Sequence, residues 1–465
     1  MTVSTVLTFD LGTTLFKACL FDDAGEMLAL ARVPTPTDTP RPGWAQIEPT
    51  RFEAVLAELS ATLREQDASA FSRLRGISFS TQTNSVLLLD EADRPVSPIV
   101  LWSDRRASEL AEAVGVLADQ PGYAEETGVT GVSPNFAVAK LMWLQRHEPE
   151  AWGRARKWRL IGDQLAWWLT GRHVTEAGAA GLTGLLDVHQ LRWRAGALEA
   201  AGLSELEPPT PMYAGADLGV VDAQRAAALG LPSDCRVMLG CLDQYAGALG
   251  AGNVGVGGLS ETTGTVLATV SLAESFDASP GAGVVQGPAW RAGLWWRMCF
   301  GSASANLFEA MRNAEADDPT FTMLEAEAAA VPAGADGLRL DVEESARTGT
   351  PTFEGLAARH TRGHRVRALF EGVARALSGQ VAALEGGRRP LSVHSVGGAS
   401  RSRLWLQIKA DALGVPIITI DTPEPTSLGA AALALAGLSD DSLATVARRV
   451  THVREVIEPT ARAGR

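Results

Sequence analysis

The chain opens on short apolar runs separated by polar turns. Val6 to Phe9 leads into Asp10-Leu11-Gly12-Thr13-Thr14, Phe16 to Phe21 into Asp22-Asp23-Ala24-Gly25, and a third run spans Met27 to Val33. Runs of this length bounded by turn residues predict three antiparallel strands, with Gly12, Thr13 and Thr14 at the first hairpin tip. After a Pro-rich loop from Pro34 to Pro42, Phe52, Val55, Leu56, Leu59 and Leu63 recur at helical spacing and predict a helix over Thr50 to Gln66. Strands are expected at Gly76 to Ser80 and Val86 to Asp90, and helices at Ser108 to Ala118, Ala137 to Arg146 and Asp163 to Leu169. Alternation of strands and helices makes the class α/β.

Near the middle the pattern starts again. Gly258 to Val270 repeats the opening order of an apolar lead-in, an acid, a Thr/Gly turn and an apolar exit. Such self-similarity is the trace of a duplicated unit, although acid-Thr-Gly turns are also ordinary hairpin chemistry. A third turn, Val393-His394-Ser395-Val396-Gly397-Gly398-Ala399-Ser400, runs from a strand into a helix from Arg403 to Leu413. That order points backbone N–H groups and the positive helix end at a place where an anion can sit. Glu424-Pro425-Thr426-Ser427 begins a small-residue helix with Thr426 or Ser427 as a natural cap, and the chain after Ser439 reads as a surface helix and a loose tail.

With 465 residues the chain exceeds what one core usually supports, so two domains and a cleft between them are expected. Net charge is −13, with no long run of like charge. Nucleic acid is therefore excluded as a partner, and an anionic substrate must be held by local donors and a metal. Cys19, Cys235, Cys241 and Cys299 form no C-x-x-C, and the histidines have no ligand spacing, so no zinc site is predicted. Acidic residues interrupt the first 30 positions, and no apolar stretch reaches the roughly 20 residues of a membrane span. The expected location is cytoplasmic, with no membrane partner.

No G-x-x-x-x-G-K-[ST] occurs, so a phosphate grip would have to come from two opposed hairpin turns. Phe9-Asp10-Leu11-Gly12-Thr13-Thr14 with Lys17, Gly43-Trp44-Ala45-Gln46, Leu101-Trp102-Ser103-Asp104-Arg105-Arg106 and Lys140-Leu141-Met142-Trp143-Leu144 follow one another in order. Gly240-Cys241-Leu242-Asp243-Gln244 and Gly397-Gly398-Ala399-Ser400 through Gly414 complete the series. In this order the motifs resemble those of the FGGY carbohydrate kinases over roughly residues 5 to 437. The resemblance implies two duplicated ribonuclease H-like, actin-like ATPase domains with an interdomain cleft. Residues 1–249 would bind sugar and carry the first phosphate motif, 250–438 would bind ATP, and 439–465 would be the C-terminal helix and tail.

By the same resemblance Asp243 would be the general base, with a helix N-cap as its alternative role. Asp10 would anchor Mg²⁺, with Asp243 also facing the ion; a plain hairpin-turn aspartate is the other reading. Gly12, Thr13, Thr14, Thr262, Thr263 and Gly264 would give donors to the β- and γ-phosphates of ATP. Gly397, Gly398 and Ala399 would approach the α-phosphate and adenosine. Lys17 is either a phosphate contact or an exposed solubility residue.

Gln82, Thr83, Asn84, Trp102, Asp104, Asn135, Asp243 and Gln244 are the expected substrate set, since amides and carboxylates hold vicinal diols. Trp102 is open to a packing role instead. Xylulose kinases tend to have Gln-Met-His at 82–84 and glycerol kinases Gln-Arg-Glu, with Pro-Tyr-Phe at 134–136 where this chain has Pro134-Asn135-Phe136. Glycerol is therefore disfavoured, and a ketopentose such as xylulose is the best expectation for the small-molecule acceptor. An erythritol-like alditol, a sugar acid, a nucleotide switch binding protein and a sugar-binding regulator without turnover are the rivals. A homodimer is one open arrangement. The second phosphate motif departs from the family, with Glu261-Thr262-Thr263-Gly264-Thr265 where Gly-Thr-Ser-Gly is common, and Glu343 to Thr352 lacks a Gly-Glu-Arg-x-Pro pattern.

Overall fold

In the computed structural model, which describes residues 4–264 and 266–460, each half of the chain builds one large sheet. The predicted opening strands are β1 (Thr5–Leu11), β2 (Leu15–Asp22) and β3 (Met27–Pro34), antiparallel in sequence order. β4 (Leu74–Thr81) lies parallel on the other side of β1. β5 (Asp217–Val220) and β6 (Arg236–Met238) extend the sheet, and the short β7 (Cys241–Leu242) also pairs with β4, giving the order β5-β6-β4-β1-β2-β3. Helix α1 (Pro49–Gln66) buries Phe52, Leu56, Leu59 and Leu63 against this sheet, as its spacing requires.

The second sheet repeats the plan. β8 (Leu259–Thr263), β9 (Leu267–Ala273) and β11 (Trp295–Gly301) form the antiparallel meander, with β10 (Val285–Pro288) added at its edge. β12 (Val393–Val396) is parallel to β8, β13 (Ile417–Ile420) is parallel to β12, and β14 (Val453–Ile457) closes antiparallel. Strand for strand, β11-β9-β8-β12-β13-β14 matches β3-β2-β1-β4-β6-β5 in order and direction. The duplication expected from the two hairpin motifs is therefore a duplication of topology.

Two corrections concern the ends of elements. The segment expected to be a loose tail is β14, and the helix before it, α8 (Leu443–Val450), buries Leu443, Val446, Ala447 and Val450. Thr445, Arg448 and Arg449 on its other face are exposed, as a surface helix requires. The helix α7 (Pro425–Gly437) starts after Glu424 with Pro425 at its first position; Ser427 is buried inside it, and no side chain caps it. Helix formation over 108–118 is also interrupted, with 3₁₀ turns at Arg106–Leu110 and Val116–Asp119 around a short helix Ala111–Gly115.

Two helices lie between the sheets. α4 (Asp243–Gly250) packs along α7, and α7 in turn packs on β1 and β4 of the first sheet. A Cβ on Gly429 would stand 1.8 Å from the Ala246 carbonyl oxygen, and one on Gly250 1.8 Å from that of Pro425. The crossing exists because neither position carries a side chain. Leu428, Ala431 and Leu435 of α7 join Val6 and Phe21 from one sheet and Val270 and Leu272 from the other in a single core.

Candidate active site

The register of the first sheet brings two carboxylates together. Asp10 of β1 stands opposite Ser80 of β4, and Cys241 of β7 stands opposite the same Ser80 on the other side. Asp243 follows β7 directly and is the first residue of α4. Asp10 Oδ1 accepts from Ser80 Oγ at 2.8 Å, and its Oδ2 lies 3.7 Å from Lys17 Nζ. Asp243 is partly exposed; it is not the N-cap, which is Leu242, and its Oδ1 accepts only the Gln244 N–H, at 2.7 Å. Burial, then the Asp10 charge, pushes Asp243 up to about 7 against that one hydrogen bond. Asp10 is also raised, by burial and by Glu424, although Lys17 and Ser80 oppose the change.

Lys17 is a cleft cation. Its Nζ donates to Glu424 Oε2 at 2.6 Å, joining β2 to the loop that leads into α7. Burial pulls its pKa down, but the Glu424 hydrogen bond and the Asp10 charge hold it above the ordinary lysine value.

At the first hairpin tip Thr13 and Thr14 are exposed, and the Gly12 N–H closes the turn on Leu15 O at 3.2 Å. The opposite tip differs from expectation. Thr262 lies toward Gly397, but the Thr263 hydroxyl points into the second domain, donating to Glu261 Oε2 at 2.7 Å and accepting from Lys409 Nζ at 2.8 Å. Lys409 Nζ also donates to Glu261 Oε1 at 2.6 Å, and the Ser395 hydroxyl bonds the same oxygen. Thr263 is thus a support for the turn, because a buried carboxylate and ammonium take every donor and acceptor within reach. Gly264 donates its N–H to Val266 O at 3.2 Å, and Thr265 lies outside the described residues. Gly397 has φ 87°, and Gly397 and Gly398 line a cavity of about 530 Å³ with Arg401, Asp421, Thr422 and Arg454. Ala399 packs its methyl group into the second domain's core.

The expected sugar set divides. Asn84, at φ 59°, accepts the Ala137 N–H at 2.9 Å and donates to Leu182 O at 3.2 Å, so its amide ties the start of α2 (Ala137–His147) to its neighbour. Thr83 Oγ1 donates to Ala179 O, and Gln82 is buried with its amide nitrogen on Gly12 O, both at 3.3 Å. Asp104 is a correction. It is fully buried, with Oδ1 accepting from the Arg106 backbone and Nε and Oδ2 from the Ala45 N–H and the Arg106 guanidinium, at 2.6–2.9 Å. No lone pair directed at a ligand remains. Arg106 stacks 3.9 Å over Trp44, which meets Trp143 edge-on at 5.2 Å, and also binds Gln46 at 2.8 Å. Three of the sequence motifs therefore converge in one buried ion-pair and aromatic cluster that supports the cleft wall.

Other members of the set stay accessible. Trp102 is 36% exposed, with Nε1 donating to Thr13 Oγ1 at 2.8 Å, which links the acceptor side to the first hairpin tip. Asn135 is exposed, and the buried Lys140 donates to its carbonyl at 2.7 Å. Burial lowers Lys140 to about 7, while Asp104 opposes that shift. Gln244 is partly exposed beside Asp243. Lys409 and Glu424 were not legible as site residues, since their partners Glu261 and Lys17 lie 148 and 407 positions away; the one signal was the unusual acid at Glu261.

Among the described residues no three His, Cys, Asp or Glu side chains form a metal cage. Asp10 nevertheless suits Mg²⁺, which binds through one or two carboxylates together with waters and phosphate oxygens. No helix among the described residues is long and apolar enough to cross a membrane.

Comparison with known proteins agrees with this fold. Residues 5–250 match the N-terminal domain, and residues 236–438 the C-terminal domain, of the FGGY family of carbohydrate kinases. A xylulose kinase of Lactococcus lactis is 28% identical, over 97% of this chain and 91% of its own. An L-fuculokinase of Salmonella typhi is 29% identical, over 95% and 94%. The crystal structure of xylulose kinase from Rhodospirillum rubrum superposes with a TM-score of 0.88 at 28% identity, covering 98% of this chain and 94% of that one. With both halves matched and the two-domain fold shared, the chain belongs to the FGGY family of carbohydrate kinases, which are ATP-dependent phosphotransferases.

Proposed function

We propose that the chain transfers the γ-phosphate of MgATP to a hydroxyl of a ketopentose such as xylulose, with Asp243 as general base. The observation that carries this reading is the state of Asp243: a partly exposed cleft carboxylate with no cation bonded to it and a pKa pushed up to about 7. At neutral pH such a group is deprotonated often enough to accept a proton and basic enough to keep it. As the acceptor oxygen bonds to the γ-phosphorus, its proton passes to Asp243, the bond from that phosphorus to the β,γ-bridging oxygen breaks, and ADP leaves. Thr13 and Thr14 present donors from the first wall, and Thr262, Gly397 and Gly398 from the second. Trp102, Asn135 and Gln244 are the accessible groups for orienting the sugar. Mg²⁺, held by Asp10 and the phosphates, would supply charge neutralisation on the transferring group.

Xylulose is favoured because a xylulose kinase stands among both the sequence relatives and the structural neighbours. A coupled ADP-release assay over pentuloses, hexuloses, alditols and aldonates tests this. Xylulose should give the highest kcat/KM; a higher value for fuculose or an aldonate would reassign the acceptor, and no sugar-dependent ADP release at all would overturn the kinase reading.

A further inference from the structure

The last strand among the described residues brings a cation to the cavity at Gly397 and Gly398 from beyond residue 438, where the family match ends. The cavity lies at the carboxyl ends of the parallel strands β12 and β13, the usual crevice for a ligand in such a sheet. Its two ends can be told apart. Gly397 abuts the second hairpin, since a Cβ there would stand 3.1 Å from Thr263 O. Pro423 and Pro425, on the facing wall, flank Glu424, which reaches across the cleft to Lys17 at 2.6 Å. This end meets the two hairpins and is where phosphates belong.

Arg454 enters from β14, three strands across the sheet from β8 and its hairpin. Its guanidinium donates to Ser400 O at 2.6 Å, three residues past Gly397, and the start of its strand is fixed by the Asp421 N–H on His452 O at 2.8 Å. Among the described residues Arg454 makes no ion pair, although the chain carries a net charge of −13. A guanidinium held edge-on through one N–H keeps its planar face available, and such a face stacks on aromatic rings.

We infer that Arg454 is a nucleotide-binding residue whose guanidinium plane packs on the purine ring of ATP, an inference that rests on the kinase reading above. Titration calorimetry of the full chain with ADP and with adenosine, in wild type, Arg454→Ala and Arg454→Lys, tests it without needing the sugar. The alanine variant should bind both ligands about tenfold more weakly, within the range of a guanidinium–ring contact. The lysine variant, which keeps the charge but not the plane, should stay weak. The melting midpoint should not move, because the side chain is exposed. Unchanged affinity in the alanine variant, a loss confined to ADP, or full rescue by lysine would each overturn the ring contact. If wild type itself bound no nucleotide, the kinase reading would fail, a result distinct from these three.

Discussion

Replacing Lys409 with methionine would remove one half of an ion pair in which both side chains are 0% exposed. The carboxylate of Glu261 would keep only the hydroxyls of Thr263 and Ser395 as donors, in a site walled by the Trp405 ring, which lies 5.4 Å from the ammonium. Leaving a buried charge without its partner costs about 3–5 kcal/mol. With both halves sharing one core the chain melts as a unit of 465 residues, and an unfolding entropy of about 2.1 cal/mol/K per residue makes each kcal/mol worth about 1 °C, so a fall of about 3–5 °C is expected. The double variant Lys409→Met/Glu261→Leu removes both charges and should recover most of that loss, since an apolar pair of similar volume replaces a buried salt bridge at little cost. Thermal and urea unfolding followed by circular dichroism measure both. A single variant losing less than about 1 kcal/mol, or a double variant no better than the single, would refute the idea that the second hairpin rests on this pair.

Asp243→Asn should lower kcat by about 100- to 10,000-fold while ADP affinity by calorimetry stays near wild type; a near-normal rate would remove the base assignment. As the proposed base Asp243 would act deprotonated, and its pKa is raised to about 7 by burial and then by Asp10, so kcat/KM should fall about tenfold per pH unit below 7 and level off above it. A profile flat down to pH 5 would count against that role. Gly429→Ala places a methyl group 1.8 Å from the Ala246 carbonyl and should destabilise the protein by about 3 kcal/mol in urea titration, whereas a neutral result would mean that α4 and α7 can separate freely.

The two hairpins could be read directly from the chain because alternation, turn residues and a short separation specify them locally. The second sheet's last strand could not: Val453-Arg454-Glu455-Val456-Ile457 is short and half polar, and only its partner β13 makes it a strand. Asp104 illustrates a different limit. A Trp-x-Asp-x-Arg spacing says that a carboxylate and a guanidinium are near each other, not whether they face a ligand or one another. The geometry answers it, since Arg106 folds back on Asp104 and stacks on Trp44. Thr263 was misplaced for a related reason: on a strand its neighbour Thr262 and it face opposite ways, and which side meets the cleft depends on Lys409, 146 residues further along.

The passage of α7 back onto the first sheet means that the two halves are not separable modules. Cutting the chain after Gly250 would strip Val6 and Phe21 of Leu428 and Ala431, leaving an apolar face on one fragment and a homeless helix, apolar on every side, on the other. Neither piece should be soluble by itself, and co-expression of both should restore a functional enzyme by reassembly.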